Sequence, residues 1–284
     1  MTTSHPILRQ PAAAAGAVRS PGSVLRRPLG LVRTELLLLR RNRMALTMAV
    51  LMPVAMMSGL HSMLHAQRAQ LPGVDLNSAL VLNLTAVSLL FAFYPNLTSA
   101  YVARRNELVL KRLRTGELTD TGILGGTALP PLLLVLLQVT LISALGAVLL
   151  GVSAPVNPVL VPLGLLLAGV QLAALAALTS AATRTVETAG LTTLPVVLVA
   201  IVASGVVVPY RVMPGWLADL GRALPTTPAL QLLRIGWLGG DGAGAASSFA
   251  GSWAVALPYL AGALAWTAAT AWAAHRYFRW EPRR

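Results

Sequence analysis

The chain has 284 residues, 56% hydrophobic and 11% charged, with a mean hydropathy of +0.70; a soluble domain carries about 25% charged residues, so a soluble globular protein is excluded. The net charge is +13, but the arginines gather at the ends of apolar runs rather than on one soluble face, which argues against nucleic acid as a partner and for orientation in a lipid bilayer. Cysteine is absent, which removes disulfides, thiol catalysis and cysteine-based metal sites.

Residues 1–24 are rich in Ala, Pro and Ser with scattered Arg and lack the apolar mass to fold, so a mobile cytoplasmic tail is expected. No signal peptide is expected, because the first apolar run starts only near residue 44 and is too long for an h-region. Over residues 25–43, Leu29, Val32, Leu36 and Leu39 repeat at three and four residues while Arg26, Arg33 and Arg40 follow at seven on another face. That spacing predicts an amphipathic helix in the membrane plane, arginines at lipid phosphates; a simple extension of the first span would read similarly.

Six apolar runs follow, each long enough to cross roughly 30 Å of hydrocarbon: Met44 to Leu64, Asn77 to Val102, Thr121 to Leu150, Val159 to Ala182, Thr188 to Pro209 and Gly251 to His275. With no alternating strands to close a barrel, helices are the remaining way to satisfy the backbone in lipid. The expected fold is an all-α integral membrane protein, with residues 44–275 as one six-helix domain and 276–284 as a cytoplasmic tail. With the first residue inside, all of the 22 Lys and Arg except Arg68, Arg211, Arg222 and Arg234 fall on the inner side, which sets both termini in the cytoplasm. In the last run Trp253 and Trp272 are separated by roughly 28 Å of helix, one indole for each interface, and Tyr277 and Trp280 extend the inner belt. Every run contains proline, namely Pro53, Pro95, Pro130 with Pro131, Pro162, Pro195 and Pro258, each a place for a kink.

Between the second and third runs lies a basic island, Ala103 to Thr119, with the chain's only lysine, Lys111, beside Arg104, Arg105, Arg112 and Arg114, and with Glu107 and Glu117 among them. Leu108, Leu110 and Leu113 give it an apolar side at rough helical spacing, which predicts a short amphipathic helix at the cytoplasmic surface; a solvated loop on the positive side would look similar. Before the last run, Pro214, Trp216, Leu217, Leu220 and Leu224 mark one short amphipathic piece ended by Pro225, and Leu230, Leu233 and Trp237 mark a second ended by glycines from Gly239 to Gly244. Two short re-entrant or amphipathic helices in the outer leaflet are expected there.

The chemistry is defined largely by what is missing. No ionisable side chain lies deep in any run, His61 and His275 being near the ends, so nothing is present to couple transport to a proton or cation. No metal ligand set, H-E-x-x-H or G-x-S-x-G occurs, and His61 and His65 have no carboxylate or cysteine to complete a shell. A P-loop needs G-x-x-x-x-G-K-[ST], whereas Lys111 sits in Val109-Leu110-Lys111-Arg112 without glycines. Any ATP and Mg would be held by another polypeptide, and this chain is expected to be non-catalytic with no cofactor of its own. Met44, Met48, Met52 and Met56 form an i, i+4 stripe with Met57 beside it; thioethers suit a pathway for varied apolar molecules, and ordinary helix packing explains the stripe too. Gln138 and Gln171 are the deepest polar candidates, either for interhelical hydrogen bonds or for a pathway.

Taken together, these pieces resemble the permease subunits of ABC transporters of the ABC-2 type, over about residues 25–284. Two segments carry the likeness: Arg104-Arg105-Asn106-Glu107 followed by Leu110 and Leu113, and the proline-punctuated region Val208-Pro209, Met213-Pro214-Gly215-Trp216-Leu217, Leu224-Pro225 and Leu233-Arg234. Leu108 and Val109 stand where that family often has glycine, and Glu117 where a proline is usual. The overall look is similar to drug and antibiotic exporters of the daunorubicin-resistance type; polysaccharide and lipid exporters share the architecture.

The resemblance implies a cell-membrane exporter in which two permease copies, identical or not, pair to enclose a pathway above two ATPase subunits. It implies that the Arg104 to Arg114 helix sits in a cleft of the ATPase, with Arg105 and Arg112 reaching acidic partner residues, Lys111 beside them, Glu107 pairing locally, and Leu110 and Leu113 buried in the cleft. ATP-driven closure there would tilt the kinked spans and move a hydrophobic small molecule outward. An ATP-independent transporter or channel is the competing reading.

Overall fold

The computed structural model describes residues 43–66, 75–114, 119–206, 210, 213–241 and 248–281; the expected tail and the interfacial helix, apart from Arg43, lie outside them. Among the described residues all regular structure is helical. In chain order α1 is Arg43–Ala66, α2 is Leu76–Val87, a π-helical segment follows at Ser88–Phe93, α3 is Tyr94–Asn106, α4 is Val109–Arg114, α5 is Asp120–Leu150 and α6 is Leu160–Ala182. Then come α7 at Val186–Ala203, α8 at Gly215–Ala223, α9 at Thr227–Leu238 and α10 at Phe249–Tyr277.

The continuous helix Leu76–Asn106 together with α5, α6, α7 and α10 gives five helices long and apolar enough to cross a membrane, and the chain is a multi-pass membrane protein. The remaining expected span is the unbroken 24-residue helix α1, long enough for roughly 36 Å. Local chemistry sets the ends. Asp75 accepts from the Asn77 and Ser78 amides at the start of α2, Thr119 from Gly122 at α5, Ser248 from Gly251 at α10, and Thr185 forms a capping box with Thr188 at α7. Gly151 and Gly239, at φ 64° and 76°, close α5 and α9 in the left-handed conformation open to glycine.

The π segment has a cause in the sequence. Pro95 has no N–H to give to the Phe91 carbonyl four residues earlier, and its ring crowds that carbonyl, so the preceding turn widens and the Tyr94 N–H bonds five residues back to Leu89.

Helix α6 is the centre of the bundle, packed on α3, α9 and α10, with Tyr94, Leu97, Tyr101, Leu172, Ala176 and Leu230 in one core. A smaller core of Met57, Leu80, Val81, Leu84, Ile142 and Val152 joins α1, α2 and α5. Helices α5, α7 and α10 turn apolar side chains such as Leu137, Leu191, Leu198, Leu257 and Leu264 outward, as a hydrocarbon solvent permits.

Two expectations are corrected. The basic island is not one helix from Arg104 to Arg114: α3 runs on to Asn106, Leu108 adopts φ 60°, and a separate six-residue α4 follows. The fifth span ends at Ala203 rather than Pro209, because Gly205 turns the chain at φ 73°. The second of the expected outer helices, α9, is present, and nine of its residues from Thr227 to Gly236 are buried against α6 and α10. Its seat depends on glycine: at Gly164 a Cβ would meet the Leu233 backbone at 3.0 Å, and at Gly236 the Val161 backbone at 2.9 Å.

Candidate functional site

Two places gather the residues singled out in the sequence. The first is the basic turn. Arg104 donates from Nη1 to the Thr127 hydroxyl at 3.0 Å, and the Asn106 amide donates to the Arg184 carbonyl at 3.2 Å. Between them Arg105 is 1% exposed, its Nη1 on the Ser180 carbonyl at 2.7 Å and its Nη2 on the Thr183 carbonyl at 2.6 Å. The last carbonyls of α6 carry the negative end of its dipole and are short of partners within the helix; the Ser180 carbonyl accepts the Thr183 N–H at 3.2 Å, and Arg105 adds a cap to both carbonyls from another helix. Tyr94 adds a second tie to α6, its hydroxyl 2.7 Å from that of Thr179.

This geometry divides the expected docking residues. Arg105 is turned inward and spent on its own chain, so it is not offered to a partner's carboxylates. Leu110, expected to enter a partner's cleft, is fully buried in the chain's own core, because the left-handed turn at Leu108 sends α4 back against α5. Glu107, Leu108 and Arg112 remain exposed. The side chains of Lys111 and Leu113 lie outside the described residues. Sequence reasoning missed Ser180 and Thr183, which carry no motif, and the aromatic cluster beside the turn: Tyr101 donates to the Leu124 carbonyl at 3.1 Å and meets Phe278 edge-on at 6.0 Å, and Phe278 meets Trp280 at 5.0 Å. Trp280 therefore packs on this cluster, whereas Trp272 and Tyr277 are exposed.

The second place is a groove of about 630 Å³ between α1, the π segment and α5, lined by Met52, Met56, Ser88, Phe91, Leu134 and Gln138 among others. Three of the residues named from sequence thus come together. The Met48 side chain lies outside the described residues, and Gln171 is elsewhere, buried and donating to the Pro225 carbonyl. There it ties α6 to the link between α8 and α9.

At the end of the bundle away from the basic turn, the Ser204 carbonyl accepts from the Tyr210 hydroxyl at 3.0 Å and the Gln231 amide at 2.7 Å, and Arg234 reaches the Gly205 carbonyl at 3.3 Å. Burial pushes the Tyr210 phenol above its usual value, which keeps it a donor. Among the described residues Arg105 is the one buried charged side chain.

Compared with known families, residues 29–238 match the ABC-2 type transporter family. No curated protein matches the chain.

Proposed function

This chain belongs to the ABC-2 type transporter family and is a membrane-embedded permease subunit, and we propose that it exports an apolar small molecule using work done by a separate ATPase. Two permease copies stand above two ATPase subunits in the cell membrane, both termini on the ATPase side, and the exposed turn at Glu107, Leu108 and Arg112 is the contact through which ATP-driven closure acts.

One observation supports this most. The turn is held by a rigid mount, since Arg104, Arg105 and Asn106 staple α3 to α5 and to the end of α6, while the residues just beyond it face outward. A force applied there would be passed into three helices rather than lost in a loop. The lack of a P-loop in the chain and of a buried proton carrier among the described residues both support an energy source on another polypeptide.

The test is co-expression with a candidate ABC ATPase, followed by co-purification and export assays. Arg112→Glu and Leu108→Asp, both at exposed positions, are expected to weaken recovery of the ATPase at least ten-fold with the permease still folded. Full assembly and export in both variants would remove the contact from this turn. Uphill transport by the isolated chain in liposomes would overturn the reading as a whole.

A further inference from the structure

The geometry points to the groove between α1, the π segment and α5 as a binding site for an uncharged amphiphile that carries its polar group at mid-membrane depth, where Gln138 meets it. Gln138 is 7% exposed, and its Oε1 has no hydrogen-bond partner among the described residues. It lies roughly 27 Å along α5 from Asp120 and roughly 18 Å from Leu150, deep in hydrocarbon, where water does not satisfy it. The buried amides Gln171 and Gln231 share the unpartnered Oε1, but each gives its nitrogen to a backbone carbonyl. For Gln138 no such bond to the described residues forms, and its side chain lines the groove. A buried amide left in this state is a recognition group awaiting a partner.

The rest of the lining states what that partner is. Met52, Pro53, Met56, Phe91, Leu134 and Ile142 are apolar and no lining residue among those described is ionisable, so a charged molecule would be desolvated with nothing there to pair it and is rejected. Ser88 and Asn96 add further polar contacts; the Asn96 nitrogen donates to the Ala92 carbonyl at 2.6 Å, which leaves its oxygen as an acceptor. A volume of about 630 Å³ falls within the size of small-molecule sites. Met52 and Phe91, at 58% and 46% exposure, leave one side open to the bilayer, and the two thioethers adapt to a class of shapes rather than to one. A lipid acyl chain fits the walls, but its ester groups stay at the interface and it leaves Gln138 as bare as before. The occupant is therefore a molecule with a hydroxyl or amide set within an apolar body. The inference rests on the permease reading in one respect, that such a molecule would be cargo.

The test reads binding alone, on the full chain in lipid nanodiscs without nucleotide or ATPase, so its failure leaves the permease reading standing and failure to find an ATPase leaves the site standing. The probes are a diazirine-bearing octanol and the matching diazirine octane, with labelled residues mapped by mass spectrometry. The alcohol is expected to label Met52, Met56 and Phe91 saturably and the alkane without saturation. Gln138→Leu is expected to weaken the saturable alcohol labelling about ten-fold and leave alkane labelling unchanged. Gln138→Leu removes an unpaired polar group and should fold; Met52→Trp, at an exposed position, fills the groove and should abolish the alcohol signal independently. Equal competition by the alkane would make this an acyl-chain site, and no saturable labelling of the groove would mean a second copy of the chain covers it; either result overturns the proposal.

Discussion

Replacing Arg105 separates a structural clamp from a docking residue. In Arg105→Met the aliphatic stem is largely reproduced, so packing is kept, and what is lost is the pair of bonds to the Ser180 and Thr183 carbonyls. The two losses are unequal. The Ser180 carbonyl still accepts the Thr183 N–H at 3.2 Å, whereas the Thr183 carbonyl loses the partner that Arg105 gave it. A hydrogen bond to a charged group contributes about 1.5–3 kcal/mol, and relief of the buried guanidinium's desolvation returns part of this, so the net destabilisation is about 2–4 kcal/mol. Arg105→Lys keeps one donor and should cost about half as much, because an ammonium cannot span two carbonyls as the guanidinium fork does. Reversible unfolding in mixed micelles measures both. In co-purification at a temperature where the variants are folded, Arg105→Met should keep the ATPase and Arg112→Glu should lose it without loss of stability. Stability of Arg105→Met within about 0.5 kcal/mol of the parent, well below the loss expected for a charged hydrogen bond, or the opposite pattern of ATPase recovery, would refute the assignment.

Two further variants test the backbone. Gly221→Ala would set a Cβ 1.9 Å from the Ala203 carbonyl oxygen, and overpacking against fixed backbone should cost about 3 kcal/mol; Gly125→Ala, with open space at its Cβ, should gain up to about 1 kcal/mol of helix stability in the same unfolding assay. Leu108→Gly relieves a left-handed residue at φ 60°, worth about 1–2 kcal/mol, and gives back about 0.5–1 kcal/mol in chain entropy. The midpoint should rise slightly, and Leu108→Val should lower it.

The helices, and the position of the broken outer pair, were legible because long apolar runs and proline or glycine stops are local signals. Met52, Met56 and Gln138 could be named for the same reason, as a stripe and a lone deep amide; that they face one groove needed the packing of α1 on α5. Burial of Arg105 rather than Arg104 was half legible. Tyr94, Thr98, Tyr101 and Arg105 recur at three and four residues, all buried, and extending that stripe through the island would have marked Arg105. Reading the island as a separate amphipathic unit hid it. The fate of Leu110 was not legible, since it turns on the left-handed Leu108, a conformation that leucine does not advertise and that the glycine usual there in the family would have. The early end of α7 was hidden in the same way: Val206 to Val208 continue the apolar run, and only Gly205 together with the bonds from Tyr210 and Gln231 to Ser204 turns the chain.

Stiff and soft parts alternate along the second span, and that order bears on how the two sites could communicate. Tyr94 and Arg105 tie both ends of α3 to the C-terminal end of α6, so α3 and that end of α6 move together under a load at the 107–112 turn. Helix α2 packs with α1 and α5 and belongs to the other side of the groove. The joint between these bodies is the π segment, whose Ser88, Phe91 and Ala92 are groove wall. A wide turn exchanges for a tight one more readily than an α-helical ladder breaks, so motion of α3 relative to α2 should be taken up there and should reshape the groove. Pro95→Ala returns the missing N–H and frees the Phe91 carbonyl from the ring, which favours continuous α-helix and should raise stability, since proline in a helix interior costs about 3 kcal/mol. Phe91 then rotates by roughly one residue's turn, about 100°, and its labelling by the diazirine alcohol should fall several-fold while the Arg105 clamp and ATPase recovery persist. Unchanged labelling of Phe91 in a stabilised Pro95→Ala would show that the π turn is not the joint.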